Sequence, residues 1–148
     1  MAAVVQKTVV TQKLEGNCVS HSRADIAVRD LSVTLDEPLE RGGTNKETLM
    51  AALVGCTNVI SHKVAHRVGV HIKSMNVRAE AQFDRRGVTL QEEIDVPFPS
   101  VTLYIELQTD ADTVLVERVK RELAMFCPLA KVLRAAGTEL REVWNVKR

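Results

Sequence analysis

Two stretches, SRADIAVRD and LSVTLDEP, alternate apolar and polar residues at period two. That pattern predicts two strands, each with one covered face. Before them, the β-branched run from Val4 to Lys13 predicts another strand, with Gly16 and Asn17 supplying the turn that follows. Pro38 closes the third strand. The pattern then changes. Thr44 stands three residues before Glu47, a capping-box spacing, and the apolar series Leu49, Met50, Ala51, Ala52, Leu53, Val54 follows. A helix is predicted from Asn45 to Val68, with Gly69 as its stop. Its length is about 36 Å at ~1.5 Å per residue. Because its first half is apolar nearly all round, it is expected to be a buried central helix. Val70 to Phe83 alternates again and predicts a long strand, DRRG a turn, and the Pro97/Pro99 segment a loop or an interrupted edge segment. VTLYIELQT is a strand. Thr109 or Asp110 caps a helix carrying Val114, Leu115, Val119, Leu123 and Phe126 on or near one face. Pro128 at the first helical position makes Cys127 the N-cap of a further helix that Gly137 ends, and TELREVWNVKR is a closing strand.

The predicted order is β-β-β, long α, β-β, α-α, β. This is an α+β class with mostly antiparallel sheet, read as a single domain over residues 1–148. One small sheet cannot cover so apolar a helix, so a homodimer that shares its sheets around the helices is expected. The remaining properties narrow the function. A formal net charge of +1 gives no electrostatic case for nucleic acid or an anionic membrane. Aromatic residues at 3% argue against a base-stacking surface. No apolar run is long enough to span a bilayer, and the first residues do not read as a signal peptide. Three cysteines without paired spacing do not form a secreted disulfide framework. A reducing, cytoplasmic setting is therefore expected, in which a retained thiol is either packing or chemistry.

The thiols divide by environment. Cys18 lies among polar residues and reads as incidental. Cys56 shares a helix face with Leu49, Ala52, Leu53 and Ile60, which is a packing pattern. Cys127, at a helix start, would face free backbone N–H groups and the positive end of the helix dipole, both of which favour a thiolate. Local physics thus names Cys127 as the more activated thiol. A thiolate at Cys56 would need a cation from outside its helix, and Arg23, Arg29 and Arg41 are candidates. Glu47 could hold such an arginine, although nine residues of helix put it and Cys56 on opposite faces. His62 and His66 share a face, but there is no HExxH and no second ligand pair, so no metal site is expected.

DEPLERGGTNKETLMAALVGCTNV followed by FCPLAKVLRAAG resembles the OsmC/Ohr family, the osmotically inducible and organic-hydroperoxide-resistance proteins. The resemblance rests on the Gly-Gly-Thr-Asn lead-in, the Ala-rich helix with its Cys and the distant Cys-Pro. It implies an OsmC-like fold, with mostly antiparallel sheets around a long central helix in an intertwined homodimer. It also implies cofactor-free, thiol-dependent reduction of organic hydroperoxides in oxidative-stress defence. On that basis Cys56 would be the peroxidatic thiol and Cys127 the resolving one, reversing the order from local physics. Glu47 would be the acidic partner, and Arg41 in LERGG or Arg29 in VRDLSV the polarising cation. The implied reductant is a lipoyl-type dithiol or a small thiol. Lys46 stands where many relatives carry proline, and no histidine follows Cys127-Pro128, which places the chain nearer the general OsmC-like branch. Two other readings fit an apolar helix wrapped by sheet: a hot-dog-type acyl thioesterase, and a small-molecule or lipid-binding protein without turnover.

Overall fold

The computed structural model describes residues 8–36 and 44–148. Their contacts divide the chain into two compact units, residues 1–47 and 48–148.

The first unit contains a three-stranded antiparallel sheet, β1 (Glu15–Cys18), β2 (Arg23–Val28) and β3 (Leu31–Asp36). The two alternating segments form β2 and β3 as predicted, with Val28 opposite Leu31 across a tight turn. The first strand differs. Gly16 and Asn17, predicted as a turn, lie inside β1, while residues 8–14 carry no strand. The partner decides this. Glu15 to Cys18 pair with Ala27 to Ala24 of β2, and the turn sits at Val19–Ser22, where Val19 and Ser20 donate to the Arg23 carbonyl. A β-branched run measures fit to a pleated surface and does not specify which segment finds a partner. Pro38 lies outside the described residues.

The long helix α1 runs Thr44–Val68 and ends at Gly69, whose φ of +82° is the left-handed conformation of a helix stop. Gly42, Gly43 and the side chain of Thr44, the first half of the capping box predicted with Glu47, lie outside the described residues. Most of α1 belongs to the second unit, where a second sheet orders as β4 (Ser74–Ala81), β5 (Ser100–Gln108) and β6 (Glu139–Lys147). β4 and β5 are antiparallel, whereas β5 and β6 are parallel. A parallel return requires a crossover, and α2 (Thr113–Phe126) with α3 (Pro128–Ala135) provides it. The segment between β4 and β5 is turns and loop, as its prolines predict. No helix of the described residues is long and apolar enough to cross a membrane.

The core explains why α1 lies where it does. Val101, Leu103 and Ile105 project from the inner face of β5, and they pack with Leu53 of α1, Leu123 and Cys127 at the α2–α3 corner, and Ala130 and Leu133 of α3. Only one stripe of α1 is buried: Leu53, Thr57, Ser61, Val64 and Ala65. Thr57 Oγ1 donates to the Leu53 carbonyl at 2.8 Å, which settles its hydroxyl inside the helix. The expectation of a helix buried all round is corrected within one chain: Leu49, Ala51, Ala52, Gly55 and Val59 remain exposed. In α2 the predicted face is also corrected. Val116, Val119 and Leu123 are the buried residues, Val114 is 80% exposed and Phe126 48%. The predicted cap is shifted as well, because Thr109 is used elsewhere. Its hydroxyl donates to the His71 carbonyl at 2.7 Å and accepts from the Ala111 N–H, leaving Asp112 as N-cap.

Along β6, Leu140, Glu142, Trp144 and Val146 are the less exposed positions of the alternation. Trp144 Nε1 donates to Glu142 Oε2 at 3.4 Å. Burial pushes the Glu142 carboxyl above its ordinary value of 4.5, against the Trp144 N–H and the Arg134 charge, which pull it down.

Two outcomes test this packing. Leu53→Ala should cost ~2–5 kcal/mol in denaturant unfolding, while Val114→Ala should stay within about 0.5 kcal/mol. Because the folded-state pKa of Glu142 is raised, its ionisation subtracts stability as pH rises through and above the unfolded value. Glu142→Gln should therefore raise the melting temperature at neutral pH, and the gain should shrink as the pH falls through the raised folded value and vanish below 4.5.

Candidate dithiol site

Cys56 lies three residues after Leu53, on the edge of the buried stripe of α1, and is half-buried. Cys127 lies between α2 and α3. Its own N–H donates to the Leu123 carbonyl at 2.9 Å, ending α2, and its carbonyl accepts from Lys131 at 3.1 Å, starting α3. Pro128, at the first position of α3, has no N–H to leave unsatisfied. The corner is thus one residue wide, and it turns the Cys127 side chain into the main core, where it is 1% exposed.

These two placements bring together sulfurs separated by 71 residues of sequence. Cys127 Sγ donates to Cys56 Sγ across 3.4 Å. Both cysteines are free thiols. A disulfide requires ~2.05 Å between sulfurs, so closing one brings the two sulfurs roughly 1.4 Å nearer than they stand here. Met50, Ile60 and Leu129 pack against the same cluster, so the surroundings of the pair are largely apolar.

The protonation of Cys127 follows from competing effects. Burial is the largest and pushes the thiol upward. The N–H groups of Ala130 and Leu129 at the head of α3 pull it down, without completing a side-chain capping hydrogen bond. The neighbouring Cys56 sulfur pushes it up again, by hydrogen bond and by charge. Burial prevails, and Cys127 is held above an ordinary thiol. The expectation that the helix N-terminus makes Cys127 the activated thiol is corrected: a dipole end counts for less once the sulfur has lost its water. Sequence pattern places a residue at a helix start but does not report how deeply that start is buried.

The other candidates stand as follows. Glu47 is exposed in the first turn of α1 and belongs to the first unit. Arg29 is exposed in the turn between β2 and β3, with a φ of +55°. Arg23 pairs with Asp25 on β2 at 3.2 Å. Arg41 lies outside the described residues. Cys18 is exposed at the end of β1, opposite Ala24. His62 is exposed, its Nδ1 2.9 Å from the Asn58 carbonyl, and His66 is exposed as well. Among the described residues no group of three or more His, Cys, Asp or Glu is arranged to hold a metal.

The family model for OsmC-like proteins matches residues 36–142. The chain belongs to the OsmC-like family. No curated protein matches it. Solved structures do. An OsmC-like protein from Mycoplasma pneumoniae superposes with a TM-score of 0.78 at 12% identity, covering 94% of this chain and 99% of that one. An organic hydroperoxide resistance protein OsmC from Legionella pneumophila gives 0.65 at 16% identity, covering 93% and 99%. The organic hydroperoxide resistance protein OhrB of Bacillus subtilis gives 0.60 at 18% identity, covering 92% and 98%. At these identities the likeness establishes the OsmC-like fold of the chain.

The reversal at Cys127 can be checked directly. In the reduced Cys18→Ser chain, alkylation followed by peptide mass spectrometry should give a pH midpoint for Cys127 above the ~8.5 of an ordinary thiol. A midpoint below that value would mean that the α3 amides outweigh burial.

Proposed function

We propose that this OsmC-like protein is a cysteine-based peroxidase that reduces organic hydroperoxides to alcohols. One observation carries the reading. Two thiols 71 residues apart lie 3.4 Å from each other in apolar surroundings, a spacing suited to reversible disulfide formation. The hydroperoxide-resistance proteins among its structural neighbours support the same direction.

Cys56 is the attacking thiol. It is the more accessible of the pair, and it accepts the hydrogen bond that the buried Cys127 donates. The Cys56 thiolate attacks the distal oxygen of ROOH, the O–O bond breaks, and the alkoxide takes up a proton and leaves as ROH. Cys56 is left as a sulfenic acid. The Cys127 sulfur then attacks the sulfenic sulfur, the S–OH bond breaks, and water departs with the Cys127 proton. A dithiol reduces the resulting disulfide by exchange and becomes a disulfide itself. In sum, one hydroperoxide and one dithiol give one alcohol, one water and one oxidised dithiol. The raised pKa of Cys127 suits the second role, since a protonated thiol is not consumed by the peroxide before Cys56 reacts.

An arginine and an acid that activate Cys56 remain assigned by resemblance to Arg29 or Arg41 and to Glu47. The exposed Leu49, Ala52, Gly55 and Val59 on α1 support a second copy of the chain as the covering partner, giving a homodimer. The oxidative-stress role and the lipoyl-type or small-thiol reductant belong to this same reading.

The test is an intact-mass and free-thiol measurement on the reduced protein with one equivalent of cumene hydroperoxide, and hydrogen peroxide in parallel. Loss of two thiols and a Cys56–Cys127 linkage, faster with cumene hydroperoxide, are the expected results. Cys56→Ser should abolish consumption of peroxide, and Cys127→Ser should leave a sulfenic acid that dimedone traps. Unchanged thiols in the wild-type chain would overturn the proposal.

A further inference from the structure

Arg67, in the last turn of α1, reaches α2 at two points. Its Nη2 donates to Glu122 Oε1 at 2.9 Å, and its guanidinium carbon lies 5.2 Å from the centre of the Phe126 ring. Glu122 and Phe126 are one helical turn apart, so a single guanidinium grips one face of α2 over its final turn. Phe126 is bonded to Cys127. The Cys127 N–H still belongs to α2, since it donates to the Leu123 carbonyl at 2.9 Å. A hold on residues 122 and 126 is therefore a hold on the root of the Cys127 side chain.

On the other helix, Arg67 stands about three turns beyond Cys56, ~16 Å along the axis at ~1.5 Å per residue. Polar contacts thus join α1 to α2 and its corner at two stations, the ion pair and the sulfurs. Between these stations the two helices run in opposite directions. Beneath them, Leu53 packs in one cluster with Leu123, and Val64 and Ala65 in another with Val119. Such apolar packing opposes separation and sliding. It is non-directional, so it opposes a small rotation of α2 about its own axis less strongly. That rotation would swing Cys127 relative to Cys56, and a grip on two side chains of one face resists it. The ion pair is also set deeper than an ordinary surface pair. The Glu122 side chain is 13% exposed. Arg118, one turn back on α2, stands 3.5 Å from Glu122 Oε2 without completing a hydrogen bond to it. Arg67 therefore supplies the hydrogen bond of this nearly buried carboxylate, and its removal would leave the group unsatisfied.

We infer that Arg67 is a positioning residue for the dithiol. Through Glu122 and Phe126 it sets the approach of Cys127 to Cys56, and with it the ease of closing the disulfide. It takes no part in breaking the O–O bond. The inference rests on the peroxidase reading for the use of the disulfide, and on the contact between the two helices for its formation.

The experiment equilibrates the Cys18→Ser chain with glutathione, without peroxide. Two protein thiols and one oxidised glutathione give the Cys56–Cys127 disulfide and two reduced glutathiones. Alkylation and intact mass give the equilibrium constant. A contribution to folding shared by the reduced and oxidised chains cancels from that constant, so a merely structural role would not move it. Arg67→Gln should lower it about fivefold, the scale of a partly exposed ion pair combined with a cation–π contact. Glu122→Gln keeps the shape of the side chain and should lower it similarly. The double variant should fall no further than either single one. Arg118→Gln should leave it within about twofold, because the pair of Arg118 with Glu122 lies within one helix and does not join α2 to α1. An unchanged constant in Arg67→Gln, additive losses in the double variant, or an equal loss in Arg118→Gln overturns the positioning role. Cumene hydroperoxide separates the two proposals. If it oxidises the wild-type thiols while the constant does not respond to Arg67, the peroxidase reading stands and the positioning role falls. If it leaves them unchanged while the constant responds, the peroxidase reading falls and Arg67 remains a positioning residue for the disulfide.

Discussion

Leu53, Leu123 and Cys127 have lost nearly all contact with solvent, and they meet where the middle of α1 crosses the corner between α2 and α3. That contact fixes the distance between the two sulfurs. β5 stands behind it with Val101, Leu103 and Ile105, so neither helix can slide without opening apolar surface. Interiors packed at this density tolerate little change in volume. The 3.4 Å separation of the thiols is therefore a property of the core as a whole. Neither cysteine's local sequence sets it.

The same burial distributes the roles. A sulfur at a helix N-terminus gains from the amides that face it, and a buried sulfur loses from the absence of water. At Cys127 the second effect is larger. Cys56, at the margin of the buried stripe, keeps part of its exposure. Two thiols of one chemistry are thus made unequal by depth, with the deeper one holding its proton. Depth also separates neighbours in the chain, since Phe126 is half exposed and the adjacent Cys127 is buried.

The order of elements was legible in the sequence because the strong signals there are periodic. The alternation in β2, β3, β4 and β5 and the stop at Gly69 are local, and the structure follows them. What was not legible depends on partners. β1 forms at Glu15–Cys18 because β2 pairs there, although its composition is poor for a strand. Thr109 does not cap α2 because the His71 carbonyl claims its hydroxyl. The nearness of Cys56 and Cys127 was legible only through the family resemblance, since spacing in sequence contains nothing of how α2 and α3 return to the sheet. The contact between Arg67 and Phe126 was not legible either, because it spans two helices.

The separation of the two sulfurs along the chain has a consequence for the unfolded protein. A bond between Cys56 and Cys127 would tie off a loop of 71 residues in the random coil. In the chain-entropy account, a loop of that size removes about 4 kcal/mol of disorder from the denatured ensemble. That is a large share of the margin by which a domain of this length stays folded. Under the proposed peroxidase cycle, the spent, oxidised protein would be the sturdier one, and the reduced protein would be closer to unfolding. A chain working that way would carry its most fragile state and its most reactive state together.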